Sequence, residues 1–319
     1  MTAAVDVSVV LGVNNGREEI AATLDSLFAQ EGVAFEIVVV DDGSTDGTAE
    51  LLDRISERDA RLRVIHQSNA GLTVALLMAC SAARGIYLAR QDAGDWSDPR
   101  RLVRQKAALD ATPDVVFVSC WTRYVGPGGE ELWIDRGAGL PDEPVSLIDL
   151  SKEWGVIGGP AHHGSVMMRR VAYEAAGRYR PEFYFGQDWD LWYRLAERGR
   201  FQLLAEALYT ARIAPDSIST RWRETQMQLA QLSLAAFRAR CSGDDEQLIL
   251  DRARQIRPDP RTSKNSRADG LYFIGEALRR RGNAAARIYF REAIAARPWM
   301  LRAWIRWLQS AAARRPERT

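Results

Sequence analysis

Cysteine is scarce in this chain. Cys80, Cys120 and Cys241 are three in 319 residues, widely spaced and without a C-x-x-C pair. An odd number at such spacing excludes a disulfide framework, offers no structural zinc set, and fits a reducing compartment. Lysine is equally rare: Lys106, Lys152 and Lys264 stand among 43 cations, and the arginine bias reads as a preference in codon usage. An excess of either charge is missing too. Lys+Arg is 43 against Asp+Glu 42, so bulk charge carries no footprint of a nucleic-acid partner. No apolar run approaches the ~18–20 residues of a spanning helix. The opening MTAAVDVSVVLGVNNG lacks the basic flank and apolar core of a secretory signal, and the expected compartment is the cytoplasm. What is present is a globular composition, 46% hydrophobic and 27% charged, in a length that suits one large or two ordinary domains.

The first 120 residues alternate. Val7–Val13 is a β-branched run of the kind buried on both faces of a sheet, and Glu18–Gln30 carries Ile20, Leu24, Leu27 and Phe28 at helical spacing. Glu36–Val40, Arg63–His66, Ile86–Ala89 and Val115–Ser119 read as further strands. Helices are expected around Leu51–Ile55, Leu72–Ala79 and from Asp98-Pro99 to about Asp110. This is βαβ repetition, hence α/β: a Rossmann-like, mostly parallel sheet with helices on both faces. Beyond residue 120 the pattern loosens. Trp121–Ile134 reads as a hairpin around Pro127-Gly128-Gly129, Glu153–Ala161 as a Gly-rich mobile segment, His162–Met168 as a strand, and Arg169–Ala176 and Asp188–Arg198 as helices. A polar linker is expected near 258–266 (PDPRTSKNS), then a helical pair, Leu271–Arg280 and Ala284–Arg297, and a third helix, Trp299–Ala312.

In such sheets ligands bind beyond the carboxyl ends of the strands. Asp41 and Asp42 follow one strand and Asp92 and Asp95 another, so two acidic clusters should share one crevice. Asp46 and Asp98 fit helix caps. Adjacent carboxylates repel, so Asp41 and Asp42 at one strand end call for a compensating donor such as a ribose hydroxyl or a base N–H. The first turn, Gly12-Val13-Asn14-Asn15-Gly16, lacks G-x-G-x-x-G spacing, which disfavours a nicotinamide dehydrogenase. In RQDAGDW, Asp92 and Asp95 offer hard oxygen ligands suited to Mg²⁺ or Mn²⁺ beside a diphosphate.

These segments together resemble a known family. SVVLGVNNGREE is similar to the opening of family-2 glycosyltransferases of the GT-A fold, and IVVVDDGSTDGT is close to their nucleotide-binding signature. NAGLTVALLMACSAARGIYLARQDAGDWSDPRRLVRQ resembles the block with the DxD-type motif, and HHGSVMMRRVAYEAAGRYRPEFYFGQDWDLWYRLAERG the acceptor-side block. The resemblance runs from residue 7 to about 219, which implies a GT-A catalytic domain at 1–219 and a helical extension at 220–319. It implies an inverting, hexosyltransferase-type enzyme that uses a nucleoside-diphosphate sugar, most simply a UDP-sugar. The acceptor would be a glycan, lipid-linked or protein hydroxyl, in surface polysaccharide or glycoconjugate assembly. By the same resemblance Asp42 holds the base, Asp41 shapes that pocket, and Gly12, Val13 and Asn14 line the nucleotide. Asp95 with Asp92 holds metal and diphosphate, and Asp188 is the catalytic base. Three departures stand out: Gly12 and Asn14 replace the usual Pro and Tyr, Gly94 the middle Asp of D-A-D-D, and Gln187 the usual Glu. They motivate the alternative of a GT-A-fold binding or scaffold protein with weakened catalysis.

Other residues remain open to two readings. His162 and His163 are structural or turn one ring, taken to be that of His163, toward the diphosphate. Arg212 is a solvated side chain or a diphosphate contact. Trp192 reads as core. Trp189, beside the base, packs in the core or stacks on an acceptor sugar, the former being favoured. The C-terminal Trp299, Trp304 and Trp307 with Arg297, Arg302 and Arg306 fit a docked helical pair or an amphipathic helix at the inner face of a membrane. ALRRRGNAAARIYFREAIAARP also resembles one tetratricopeptide-type repeat, which cannot bury its own faces alone.

Overall fold

The computed structural model describes residues 5–137, 141–149, 151, 158–216, 221–258 and 267–312. Most of the Gly-rich stretch at 153–161 and all but the first residue of the expected linker at 258–266 lie outside these residues.

β1 (Val7–Val13) is buried along its whole length and leads to α1 (Ile20–Phe28), β2 (Phe35–Asp42), α2 (Thr48–Ser56), β3 (Leu62–Gln67), α3 (Leu72–Ala82), β4 (Tyr87–Arg90), β5 (Trp96–Ser97), α4 (Arg101–Ala111) and β6 (Val115–Val125). Then come β7 (Glu131–Asp135), β8 (Pro144–Val145), a 3-10 turn at His163–Ser165, β9 (Met167–Arg169), α5 (Arg170–Ala175), α6 (Gln187–Ala196) and β10 (Arg200–Arg212). Five helices follow among the described residues: α7 (Arg223–Ser242), α8 (Gln247–Gln255), α9 (Arg267–Arg280), α10 (Ala286–Ala296) and α11 (Leu301–Ala312).

The strands form one sheet in the order β3-β2-β1-β4-β9-β6-β10-β5. β3, β2, β1 and β4 are parallel, with Val10 opposite both Val38 and Arg90. β9 runs antiparallel between β4 and β6 and closes the parallel half. Alternation along the strands fills both faces. Val10, Val38 and Leu88 pack with Ala75, Leu76 and Ala79 of α3 and with Leu191 and Leu195 of α6. Val9, Leu11 and Val39 pack with Leu24 and Leu27 of α1, Leu52 of α2 and Leu102 of α4. The N-cap of α2 is Gly47, and Asp46, one residue before it, accepts from the Thr48 N–H (3.0 Å) with its Oδ1. Asp98 accepts from the Arg100 N–H (3.0 Å), which caps the turn before α4 rather than its first regular residue.

The chain separates into two compact units. One comprises residues 1–122, 135–211 and 227–257, the other 123–134, 212–226 and 258–319, so the chain crosses between them more often than one cut near residue 219 would require. In the second unit the expected hairpin joins the end of β6 to β7, with Gly126 N–H donating to the Glu130 carbonyl (2.8 Å). α9, α10 and α11 enclose Ile274, Leu278, Phe290 and Ala303. Gly275 permits the tight α9–α10 crossing, since a Cβ there would lie 2.8 Å from the Phe290 ring.

Candidate active site

The two acidic pairs end β2 and β4, both neighbours of β1 in the sheet. At the end of β2 the fold itself supplies donors. Asp42 Oδ1 accepts from Gln67 Nε2 (2.6 Å) and the Ala70 N–H (2.8 Å), and Oδ2 from the Gly71 N–H (2.9 Å). Asp41 Oδ1 accepts from the Ser44 N–H (3.2 Å), and its Oδ2 lies 3.1 Å from His66 Nδ1. His66 Nε2 reaches Asp53 at 3.0 Å, and these hydrogen bonds, Asp53 before Asp41, raise the imidazole pKa. The repulsion anticipated between neighbouring carboxylates is therefore met by separate partners on opposite faces of the strand.

The turn after β1 is knitted to this end. Asn14 Nδ2 donates to the Asp42 carbonyl (2.7 Å), and the Asn15 N–H to Ser44 Oγ (2.8 Å). Gly12 and Val13 are buried and Asn14 is exposed. A Cβ on Gly12 would lie 2.9 Å from the Ala75 Cβ, so glycine at the position of the family's usual proline lets α3 approach β1.

The end of β4 is built differently. Asp92 pairs with Arg90, whose side chain is fully buried. Burial acts to raise the Asp92 pKa, but the Arg90 charge overrides it and holds the carboxyl below its ordinary range. Tyr209 of β10 donates its hydroxyl to Asp95 Oδ2 (2.8 Å) and accepts from the Asp92 N–H (3.1 Å), fixing both ends of the D-A-G-D turn. His162 Nδ1 lies 3.8 Å from Asp92 and 3.9 Å from Asp95. Ligand atoms of these three residues all fall within 4.8 Å of one another, a group able to hold a cation. Burial lowers the His162 pKa, so the imidazole is neutral, the form that coordinates metal.

Of the two histidines the sequence left open, His162 is the one turned toward the acids. A strand across 162–168 would have turned the two histidines to opposite faces, but the backbone makes a 3-10 turn at 163–165 and the strand begins only at Met167. His162 caps that turn, its Nδ1 accepting from the Gly164 N–H (3.0 Å), and the same nitrogen faces the acids, so holding a cation through it would mean giving up the Gly164 bond. His163, named for the diphosphate, bonds instead to the Tyr179 hydroxyl (2.8 Å), and burial drives its pKa down to about 3. Gly164 is fixed by close approach: a Cβ there would fall 1.9 Å from the Tyr209 hydroxyl.

Arg101, fully buried at the start of α4, ties these pieces together. Its guanidinium donates to Gln91 Oε1 (2.9 Å), Ser97 Oγ (2.9 Å), the Arg90 carbonyl (2.7 Å) and the Gly164 carbonyl (2.8 Å), and it lies over the Tyr209 ring at 4.9 Å. One planar fork thereby holds the strand before Asp92, the turn after His162 and the tyrosine on Asp95.

Asp188 lies in the first turn of α6 and not at its N-cap, which is Gly186 in the left-handed region, and its carboxylate accepts from first-turn N–H groups. Burial raises its pKa to about 6, opposed by the Trp189 N–H. Gln187 is buried, while Trp189 is half-exposed and edges onto Trp192 (5.2 Å), so the favoured core assignment fits Trp192 and not Trp189. α6 is anchored by Arg194, which pairs with Asp190 and donates to the Arg178 carbonyl (2.6 Å). Arg212 falls in the second unit and donates to the Pro127 carbonyl (3.3 Å).

Comparison with known proteins gives this constellation a class. Residues 8–176 match the family described as Glycosyl transferase family 2, and the chain belongs to it. EpsE of Bacillus subtilis (strain 168), a glycosyltransferase by name, is 34% identical over 225 residues, 67% of this chain and 76% of its own. The succinoglycan biosynthesis protein ExoU of Rhizobium meliloti (strain 1021) is 29% identical over 274 residues, 81% and 78% of the two chains. Among solved structures, residues 1–349 of S. aureus TarS in complex with UDP match with a TM-score of 0.55 at 17% identity, over 98% of this chain and 93% of that fragment. The mannosyltransferase PcManGT from Pyrobaculum calidifontis, in complex with GDP-Man and Mn²⁺, matches at 0.53 and 18% over 98% and 87%. The fold is therefore GT-A, and the protein is a glycosyltransferase whose relatives include polysaccharide-assembly proteins. No helix among the described residues is long and apolar enough to cross a membrane.

Proposed function

We propose that this glycosyltransferase moves a sugar from a nucleoside diphosphate to an acceptor hydroxyl with inversion, by one in-line displacement for which Asp188 is the base. The observation that carries the reading is the pairing of two environments. Asp92 is held ionised beside Arg90, whereas Asp188 is pushed up to about 6, the divergence expected of a ligand-holding carboxylate and a proton acceptor. Asp188 takes the hydroxyl proton as the acceptor oxygen bonds to the anomeric carbon and the bond to the departing diphosphate breaks. Similar proteins bound to UDP and to GDP-Man support a nucleotide-sugar donor, with a UDP-sugar as the working choice. The acceptor is a glycan, lipid-linked or protein hydroxyl.

The nucleotide lies against Gly12, Val13 and Asn14 and the end of β2. There Asp41 shapes the pocket, and Asp42 keeps one of roughly four acceptor positions for the base after its three protein donors. Asp92, Asp95 and His162 would hold a divalent cation. Two carboxylates and one neutral imidazole suit Mn²⁺ better than Mg²⁺, which prefers an all-oxygen shell. When bound, such an ion neutralises charge on the diphosphate leaving group. The retained acids and the ordered shell around them support turnover over a scaffold role. Calorimetry of UDP and GDP with and without Mn²⁺, followed by product NMR with the better-bound donor class, tests this. Nucleotide binding strengthened by Mn²⁺ and an inverted product are expected. Nucleotide binding indifferent to every divalent ion, or a retained anomer, would overturn it.

A further inference from the structure

α11 has two faces with opposite fates. Met300, Ala303 and Trp307 join the core of the second unit, and the Arg287 guanidinium lies 4.8 Å over the Trp307 ring. The other face holds Leu301 (74% exposed), Trp304 (41%), Ile305 (54%) and Leu308 (58%), and Trp299 (77%) precedes it. Positions 301, 304, 305 and 308 follow i, i+3, i+4, i+7, so they form a continuous apolar stripe turned to solvent. Trp304 satisfies its Nε1–H on the Pro298 carbonyl (2.8 Å), which leaves the ring as an apolar surface with its polar edge paid.

The charge around this stripe is lopsided. Residues 267–312 contain nine arginines against Asp269, Glu276 and Glu292, net +6, in a chain of net +1, so all other residues together carry −5. Arg297 and Arg302 share Asp269, and Arg306 shares Glu276 with Arg279, so the acids are used more than once and cationic charge remains in excess.

We infer that this face of α11 docks on an anionic lipid surface. An interfacial helix combines an apolar face rich in Trp and Leu with surrounding cations, and each Lys or Arg near an anionic leaflet strengthens binding roughly fivefold. A second copy of the chain fits less well. A two-fold interface sets a patch against itself, here cation against cation, and one helix face falls short of the roughly 800 Å² per partner of a stable pair. The sequence offered a docked helical pair or a membrane-surface helix as alternatives, and α11 serves the first with one face and leaves the second face open.

The test floats the full chain with vesicles of phosphatidylcholine mixed with phosphatidylglycerol and, separately, with phosphatidylcholine alone. Binding to the mixed vesicles should be at least roughly tenfold stronger and weaken with salt. The combined variant Leu301→Gln, Trp304→Gln, Ile305→Gln and Leu308→Gln should lose at least roughly tenfold while unfolding at the parental temperature, since all four side chains are exposed. Ile305→Glu alone is the second variant should the combined one not fold, and it should weaken binding too. Absent binding, equal binding to both vesicle types, or undiminished binding by a folded variant would overturn the inference. So would a parental dimer in light scattering that the variants dissolve, which would assign the stripe to a second copy. Polyglutamate binding as tight as vesicle binding and unaffected by the variants would assign the charge to an acidic protein instead.

Discussion

The ends of β2 and β4 each present two aspartates, yet the fold treats them in opposite ways. At β2, Asp42 accepts three protein donors, two of them backbone N–H groups that open α3, and Asp41 is held by Ser44 and His66. At β4, Asp92 and Asp95 are steered by Arg90 and Tyr209 toward His162, and a fully buried arginine fixes those steering groups. A carboxylate spent on backbone donors stabilises the fold. Carboxylates turned toward one another and a neutral imidazole cost stability unless a cation joins them. Identical sequence features, a pair of acids after a buried strand, thus divide into one cluster bound to the protein's own donors and one able to hold a cation.

Asp188 extends the comparison, because its half-buried carboxyl is the one whose pKa is raised, to about 6. Asp188→Asn should leave donor binding near its parental value and stability at neutral pH equal or somewhat higher, while transfer falls by ~10²–10⁴, the range of a lost general base. Steady-state transfer assays with a parallel unfolding curve check this. Transfer at the parental rate would remove Asp188 from the chemistry.

The next effect separates the two clusters directly. Asp95→Asn should weaken Mn²⁺ and nucleoside diphosphate binding together by roughly ten- to a hundredfold, with unfolding little changed. Asp42→Ala should instead lower stability by about 2–3 kcal/mol, because it strands the Ala70 and Gly71 N–H groups, and nucleotide affinity should drop with it. Calorimetry and denaturant unfolding on both variants are the measurements. The same profile from both would erase the distinction between a pocket-shaping and a cation-holding cluster.

A smaller effect follows from pH. With its pKa about 6, Asp188 is the active carboxylate above that value and protonated below it. kcat/KM should therefore rise with pH through about 6 and level off, with pH 5 giving about a tenth of the plateau. The stability sign is the reverse. The folded state holds this proton more tightly than the unfolded chain does, so ionising Asp188 costs stability as pH rises from the ordinary carboxylate range through about 6. The acidic limb should vanish in Asp188→Asn, whose residual rate should be flat across it.

The parallel half of the sheet was legible because β-branched runs and helical spacing are strong local signals. Asp46 and the Pro127-Gly128-Gly129 turn were legible through turn chemistry. α7 falls inside the helical extension expected at 220–319, but its bounds were not legible, because its buried stripe, Leu229, Ser233, Ala236 and Phe237, includes a serine and a small alanine that weaken the helical pattern. Of the cation-holding group, Asp92 and Asp95 stand out as acids after a strand, but His162 comes from a turn some 70 residues on and reaches them only through tertiary packing. Arg101 was invisible for the same reason: an arginine at a helix start reads as solvated, and only the fold shows it buried on five acceptors and a ring. Sequence shows which groups can do chemistry at a strand end, and three-dimensional packing decides which of them are spoken for.

The smallest expected effect concerns Gly94, where the family's usual acid is missing. Its φ of +94° lies in the region that favours glycine, its N–H donates to Thr23 Oγ1 (2.9 Å), and a Cβ would meet nothing nearer than Glu19 at 3.7 Å. Space is available, so the whole penalty for a side chain is backbone strain. Gly94→Ala should cost roughly 1 kcal/mol, a fall of about 2–4 °C in Tm, with Mn²⁺ affinity held within about twofold. Gly94→Asp should cost a similar amount and, because Asp92, Asp95 and His162 already form the donor group, should not tighten Mn²⁺ by as much as tenfold. A Gly94→Asp protein that kept parental stability and bound Mn²⁺ ten times more tightly would show that this turn adopts the family's acidic form without strain. The end of β4 would then be a depleted metal site, and His162 could not be credited with completing it.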